Sequence, residues 1–573
     1  MAKILKKTDV VVIGLGWSSS IVANECAKAG LKVIALERGT HQDTSDFLGA
    51  HDEYKYVNNF ALKQDLSKES VTFRNSSKEM ALPMRKNYAF DVGNNVGGAG
   101  VHWNGMSYRF LPYDFEIKSQ TEEKYGKNKV SKEYTIQDWG VSYDEMESYY
   151  DKAEKMMGIS GEDKSPFSGK RSNPFPNPPL EKTTMLEKFG TAASKLGYHP
   201  CMVPAANSSQ PYTNNDGQSL GACQYCAFCE HFGCEYAAKA SPIVTTIPSA
   251  LATKNLEIKT HANVLEILHK DGKATGVRFI NTLTLEEFIQ PAEVVMLGSY
   301  VFNNAKLLMV SNIGQMYDEK TGKGTLGKNY SFQICPSVNG FFDEPFNSYL
   351  GAGALCNWID DFNGDNFDHS KLDFIHGASF RLSQNGARPI ASNPVRPGTP
   401  SWGAEFKKQS IYNYTRFTYI GAQGASLPHI SNYLSLDPTY KDAYGLPLLR
   451  ITYNYTKQDK NLYNFMLPKL KGIMETMGAR EVYTSPKLTD YGLLSNGWYG
   501  STHVAGGTIM GAQKETSVVN PYLQHWDVDN LFVVGASNFP HNGGYNPTLT
   551  LNALAYRASE GIIKYLKTGK SLV

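Results

Sequence analysis

At 573 residues the chain is too long for one ordinary hydrophobic core, and its length points to roughly two to four domains. Apolar residues make up 41% and charged residues 20%, a globular balance, while a net charge of +2 leaves no footprint for nucleic acid or an anionic membrane. No apolar run is long enough to cross a bilayer, and 51 glycines with 34 tyrosines describe a loop-rich chain of the kind that walls a ligand pocket.

Met1-Ala-Lys-Ile-Leu-Lys-Lys7 leads straight into the first predicted strand and leaves no room for the apolar centre of a signal peptide. Val10 to Ile13 reads as a buried parallel strand. Gly14 and Gly16 then allow the tight turn and the close approach that a pyrophosphate needs. Trp17 to Ala29 is helical, with Gly30 as its stop. Lys32 to Leu36 is a second strand, ending on Glu37, and Arg38 beside it is a further candidate cofactor contact. The helix start offers N–H groups and partial positive charge to phosphates. An acidic residue about 20 positions beyond the glycines takes the adenosine ribose hydroxyls. The third fingerprint position is Ser19, so the helix–strand contact must accept a small hydroxyl. This βαβ unit predicts dinucleotide binding without choosing between FAD and NAD.

Residues 41–80 read as a polar excursion over the cofactor, and Gly93 to Gly105 as a glycine-dense loop. Helical patterning runs from Ser142 to Met157, and Asn173 to Pro179 is a proline-rich connector. Strand alternation from Leu256 to Phe279 turns at Asp271-Gly272 as a hairpin. Glu293 to Gly298 reads as a buried strand, Phe302 to Ser311 as a helix, and residues 330–460 as a mostly antiparallel sheet. Leu462 to Met477 is helical, Leu531 to Val534 a strand, and Thr548 to Leu566 a helix. The expected architecture is α/β plus α+β. A discontinuous nucleotide domain takes residues 1–110, 221–330 and 500–573, with a cysteine-bearing insertion at 221–236. A substrate domain takes 111–220 and 331–499.

Four of the eight cysteines form the run Cys223-x2-Cys226-x2-Cys229-x4-Cys234. Structural zinc usually takes two well-separated Cys-x2-Cys knuckles. A compact triple run with a fourth cysteine nearby fits iron–sulfur ligation, with three or four irons. Zinc and disulfides remain alternatives, although bridges this close would be strained. Glu230 follows Cys229 where a c-type haem site would need histidine. Cys26, Cys201, Cys335 and Cys356 are isolated and read as packing.

The C-terminal part holds Ser501-Thr-His503-Val-Ala-Gly-Gly-Thr and the strand-end run Gly535-Ala536-Ser537-Asn538, followed by His541-Asn-Gly-Gly-Tyr-Asn546-Pro547-Thr548. With the N-terminal βαβ unit and Val96-Gly97-Gly98-Ala-Gly-Val-His102-Trp103-Asn104-Gly105, this resembles the glucose–methanol–choline (GMC) oxidoreductases, FAD enzymes that oxidise alcohols. The resemblance covers Asp9 to about Ile563 and implies a Rossmann-like FAD-binding domain beside a substrate domain.

It also assigns roles. His503 takes the hydroxyl proton, and Asn546 hydrogen-bonds the same oxygen without titrating. Gly97 and Gly98 pack on the flavin, His102 beside Trp103 is a candidate covalent flavin link, and Asn104-Gly105 back the ring. Ala536, Ser537, Pro547 and Thr548 complete the cofactor contacts. Within the family, the cysteine run is similar to a bacterial group that includes the gluconate 2-dehydrogenase flavoprotein and the fructose, sorbitol and FAD-glucose dehydrogenase large subunits. That likeness implies oxidation of a sugar, sugar acid or polyol, gluconate first. Electrons then pass through the cluster to a multihaem cytochrome c subunit and quinone. It further implies a small subunit with an export signal and a place on the outer, periplasmic side of the membrane, the alternative being the cytoplasm. Arg109 or Arg85 would supply the cation a sugar acid needs. The competing readings are a pyranose oxidase-like enzyme using dioxygen, a non-redox lyase of the same family, and a pure electron carrier.

Overall fold

A computed structural model of the chain describes residues 2–47, 51–58, 61–85, 92–346, 348–386, 388, 390, 392–489 and 501–573. The expected domain boundary at 499/500 lies outside the described residues.

Val10, Val11 and Val12 are fully buried in the strand Thr8–Ile13, as a strand covered on both faces must be. This strand sits near the middle of an eight-stranded sheet. In it Leu256–Lys259, Val33–Leu36, Thr8–Ile13, Glu287–Leu297 and Leu531–Val533 run parallel in that order. Segments more than 230 residues apart in sequence thus close one sheet. The hairpin Ala262–Lys270 and Lys273–Asn281 extends it antiparallel, turning at Asp271-Gly272. The helices Trp17–Lys28 and Thr548–Thr568 pack on each other against this sheet.

A second, six-stranded sheet is antiparallel throughout. Its order is Glu481–Thr484, Ser337–Phe341, Phe417–Gly424, Ala378–Ser383, Cys356–Ile359 and Cys201–Met202. Successive side chains along these strands point to opposite faces. Val338, Phe380, Leu382, Ile420 and Ala422 form a buried apolar face against the helix Lys457–Thr476, whose Met466 and Met474 reach Gly424 and Gly340. The opposite face carries Arg381, Tyr419, Gly421 and Gln423 and looks toward the parallel sheet's cavity.

Several elements depart from the sequence expectation. Val71–Arg74 and Leu82–Pro83 join Pro447–Thr452 and Tyr433–Lys441 in a four-stranded sheet, so part of the 1–110 stretch pairs with the 331–499 stretch. Helices occupy Thr184–Lys195, where no element is expected, and Ala404–Asn413, where sheet is expected. The helix expected from Leu462 begins at Lys457, because Thr456 caps it and exchanges hydrogen bonds with Asp459. Ser142 does the same for Tyr143–Met157 through Glu145. Among the described residues no helix is long and apolar enough to cross a membrane.

Candidate active site

The parallel strands end at a cavity of about 310 Å³, the crevice where open α/β sheets take ligands. Gly14 (φ +76) makes the turn out of the first strand, and a side chain there would meet the Gly298 carbonyl at 3.1 Å. The helix that follows has no side-chain cap and no acid in its first turn, which leaves its leading amides to an anion. Gly98 closes over this turn, 3.2 Å from Gly16 measured from where its Cβ would stand. Glu37 lines the cavity and accepts hydrogen bonds from the Leu15 and Gly39 amides at 3.0 and 2.9 Å. Burial pushes its pKa up against those bonds, and each oxygen keeps a lone pair for a ribose hydroxyl. Arg38 also lines the cavity, held by Glu69 at 2.6 Å and Gln64 at 2.9 Å.

His102, Trp103, Asn104, Ala536, Pro547 and Thr548 complete much of the wall. Four expected cofactor residues stand behind it instead. Ser19 is buried in the helix–strand contact, its hydroxyl donating to the Gly298 carbonyl at 2.9 Å. Ser537 is buried and accepts from Asn304 at 2.9 Å. Gly97 and Gly105, both left-handed, are turning points of their loop and do not reach the cavity.

His503 and Asn546 meet on the cavity wall, His503 Nε2 lying 3.2 Å from Asn546 Nδ2. Their hydrogen bonds assign the imidazole tautomer. Arg381 can only donate, so Asn546 receives its Nη1 at 2.9 Å on Oδ1 and turns Nδ2 toward His503. Gln333 spends its amide nitrogen on the Gly543 and Tyr545 carbonyls, both at 2.7 Å, and presents Oε1 to His503 Nδ1 at 2.7 Å. Gln423 Nε2 also approaches Nδ1, at 3.1 Å, but the shorter Gln333 contact and the Asn546 donor at Nε2 together favour the proton on Nδ1 and the lone pair on Nε2. Burial, then the Arg381 charge, pushes its pKa down to about 3. A neutral imidazole with a lone pair at the cavity is a proton acceptor.

The four clustered cysteines are all free, as are the other four. The thiols of Cys223, Cys226, Cys229 and Cys234 act on one another electrostatically, so they converge. Yet no three of them bring their sulfurs within 4.8 Å. Tyr225 and Phe228 amides point at the Cys223 and Cys226 sulfurs, and the Gly353 amide and Asn207 side chain at Cys229. Tyr225, Ala227, His231 and Ala237 all hold positive φ, so the loop is bent around its thiols. Buried Lys239 ties this loop to the cavity wall, its ammonium donating to the carbonyls of Trp103, Cys229 and Phe232 at 2.7, 2.7 and 2.9 Å. The His231 amide adds a bond to the His102 carbonyl at 2.8 Å, and Glu230 itself lines the cavity.

The expected substrate cations are elsewhere. Arg109 is consumed by Glu154 at 2.8 Å and Glu147 at 3.0 Å, and Arg85 is exposed away from the cavity. The arginine at the His503–Asn546 pair is Arg381. It, Gln333, Gln423 and Lys239 belong to no motif. Only the apolar–polar alternation of Ala378–Ser383 and Phe417–Gly424 marks the first and third as lying opposite the helix-covered face.

The GMC oxidoreductase family models match residues 181–335 (N-terminal) and 428–555 (C-terminal). The gluconate 2-dehydrogenase flavoprotein of Pantoea cypripedii is 40% identical over 100% of this chain and 96% of its own length. The 2-methyl-1,2-propanediol dehydrogenase of Mycolicibacterium austroafricanum is 28% identical over 97% of this chain and 95% of that one. The fructose dehydrogenase large subunit of Gluconobacter japonicus is 25% identical over 98% of each. The crystal structure of pyridoxine 4-oxidase from Mesorbium loti shares the fold, with a TM-score of 0.60 at 14% identity over 97% of this chain and 99% of that one. End-to-end identity of this order, with both family models matched, makes the chain a member of the GMC oxidoreductases, an FAD-dependent oxidoreductase acting on CH–OH groups.

Proposed function

We propose that the chain is the flavoprotein subunit of a dehydrogenase that oxidises a hydroxyl of a sugar acid, gluconate before other acids, aldoses and polyols. The observation that carries this is the His503–Asn546 pair, with its acceptor lone pair on the cavity wall. It is supported by the 40% identity to a gluconate 2-dehydrogenase flavoprotein. The uncapped helix start, the Gly14 turn and Glu37 fit the pyrophosphate and ribose of FAD. When bound, the flavin supplies the two-electron acceptor for hydride leaving the carbinol carbon. Nε2 of His503 takes the hydroxyl proton, while the Asn546 amide donates to the same oxygen and holds it there. Arg381 and Gln333 fix the amide and the ring. His102 on the same wall is the proposed covalent link; colour released to the supernatant by acid denaturation would remove that part.

The proposal includes an iron–sulfur cluster on Cys223, Cys226, Cys229 and Cys234, relaying electrons singly to an acceptor. Tetrahedral zinc would draw thiolates to about 3.8 Å from one another, given a Zn–S bond near 2.3 Å. The wider spacing and the N–H groups aimed at sulfur suit a larger cluster. Two relatives are named as a flavoprotein and a large subunit. We extend this to a small export-signal-bearing subunit and a cytochrome c subunit on the outer face of the membrane. The test is iron and acid-labile sulfide per flavin on anaerobically purified protein, followed by addition of gluconate. Three or four iron per FAD and a bleached flavin are expected. Iron-free protein that releases peroxide would replace this with an oxidase.

A further inference from the structure

We infer that Arg381 anchors a substrate carboxylate on the carbon next to the oxidised carbinol, so that the substrate class is a 2-hydroxy carboxylate. The inference rests on the dehydrogenase reading and adds to it the residue that selects the substrate. Arg381 is half-buried on the face of the antiparallel sheet that looks toward the catalytic pair. Its Nη1 serves Asn546 and Gln423, both at 2.9 Å, and the Met106 sulfur. Nε and Nη2 meet no carboxylate, carbonyl or amide oxygen among the described residues. No carboxylate among the described residues comes within 4.0 Å of the guanidinium. Glu230, on the cavity wall, acts on it only from a distance and is drawn first by His231 and Arg388.

A desolvated guanidinium without an anion is costly unless a ligand supplies one. Space for that ligand exists beside it. Gly421 is the cross-strand register partner of Arg381, and a methyl added there would meet nothing closer than 3.9 Å. Tyr108 is fully buried with its hydroxyl against the Arg381 guanidinium, and that hydroxyl finds no acceptor for its own proton among the described residues. That hydroxyl is a second donor for the same anion. Position sets the regiochemistry. Arg381 holds Asn546, and Asn546 holds the acceptor nitrogen of His503. A carboxylate gripped by the free edge of the guanidinium therefore lies next to the carbon whose hydroxyl reaches the pair.

The test is anaerobic stopped-flow reduction of the flavin in the purified holoenzyme by gluconate, by its neutral amide gluconamide and by sorbitol. The expected result is a kcat/KM for the acid roughly 10²–10³ above both neutral compounds, the weight of a charge-assisted bidentate contact. In Arg381→Gln that preference should collapse, chiefly through KM, and Arg381→Lys should restore part of it. Equal rates for acid and amide in the wild-type enzyme would overturn the inference, whether or not the variants fold. Bleaching by the neutral compounds alone would overturn it and leave the dehydrogenase standing. No bleaching by any hydroxylated donor would overturn both.

Discussion

Gln333 Oε1 lies 2.7 Å from His503 Nδ1, and because the Gln333 amide nitrogen is committed to two carbonyls it can only accept there. This contact, with the Asn546 donor at Nε2, outweighs the longer approach of Gln423 Nε2 to Nδ1 at 3.1 Å and leaves Nε2 as the free nitrogen. Gln333→Leu removes the acceptor and lets the proton move to Nε2, the nitrogen proposed to take the substrate proton. Flavin reduction should slow by roughly tenfold to a hundredfold, a part of the 10²–10⁴ a general base contributes. KM should move little, since no substrate contact is lost. An unchanged reduction rate in stopped flow would mean that Asn546 alone holds the tautomer.

Replacing the base itself is harsher. His503→Ala should cut turnover by roughly 10²–10⁴ while the flavin stays bound. The pH profile carries a second mark. Burial, followed by Arg381, holds the His503 pKa down to about 3. The imidazole is then neutral across the physiological range, and kcat/KM should not fall through an acid limb near pH 6.5. That limb belongs near pH 3 to 4. Its stability contribution runs the same way, present above the unfolded pKa and lost as the pH drops toward 3. An acid limb at 6 to 7 that vanishes in His503→Gln would contradict this electrostatic picture.

Asp360 makes the opposite prediction. Its carboxyl is buried under Tyr545, which donates to Oδ2, and Asn363, which donates to Oδ1 at 3.1 Å. Burial outweighs those bonds and raises its pKa to about 8. The folded protein therefore keeps a proton that the unfolded chain has lost. The stability this gives is complete below about pH 4 and declines as the pH rises toward 8, by at most about 1.4 kcal/mol per pH unit. Asp360→Asn stays neutral throughout. Its Tm relative to wild type should climb between pH 5 and pH 8, the other groups cancelling in the comparison. A pH-independent difference would show that Asp360 is ionised in the folded state.

The parts of this molecule legible in its sequence are those in which one short segment makes its own structure. The run from Thr8 to Arg38 is strand, turn, helix and strand in order, because Gly14 permits only that turn and the valines permit only burial. The meeting of His503 and Asn546 on the cavity wall was legible through the motifs around them. Gln333, Arg381 and Gln423 were not, since Arg381 and Gln423 reach the pair only when antiparallel strands align and Gln333 only through a loop contact 170 residues away, and register is a tertiary property. Arg109 shows the converse. It sits near the flavin loop in sequence, yet Glu154 and Glu147 claim it. Ser19 fits the fingerprint position but spends its hydroxyl on Gly298, a partner 279 residues away that no local pattern reveals.

The cysteine loop gives the last prediction. Lys239 binds the carbonyls of Cys229, Phe232 and Trp103 with one ammonium, so loop and cavity wall are a single hydrogen-bonded body. If the thiols carry a relay, its function should separate from that mechanical role. Cys229→Ser keeps the Lys239 bonds, which go to backbone oxygens, and removes one thiolate. It should still bleach its flavin with substrate at near wild-type rate, yet fail to pass electrons to a cytochrome or a one-electron dye, and lose iron. Lys239→Met should do the reverse. It strands three buried carbonyls, each costing about 1–3 kcal/mol, so it should lower Tm and loosen the flavin before it affects the thiols. A Cys229→Ser protein that can no longer reduce its flavin would mean that the loop serves only to shape the wall formed by Trp103 and Glu230, and that electrons leave by another route.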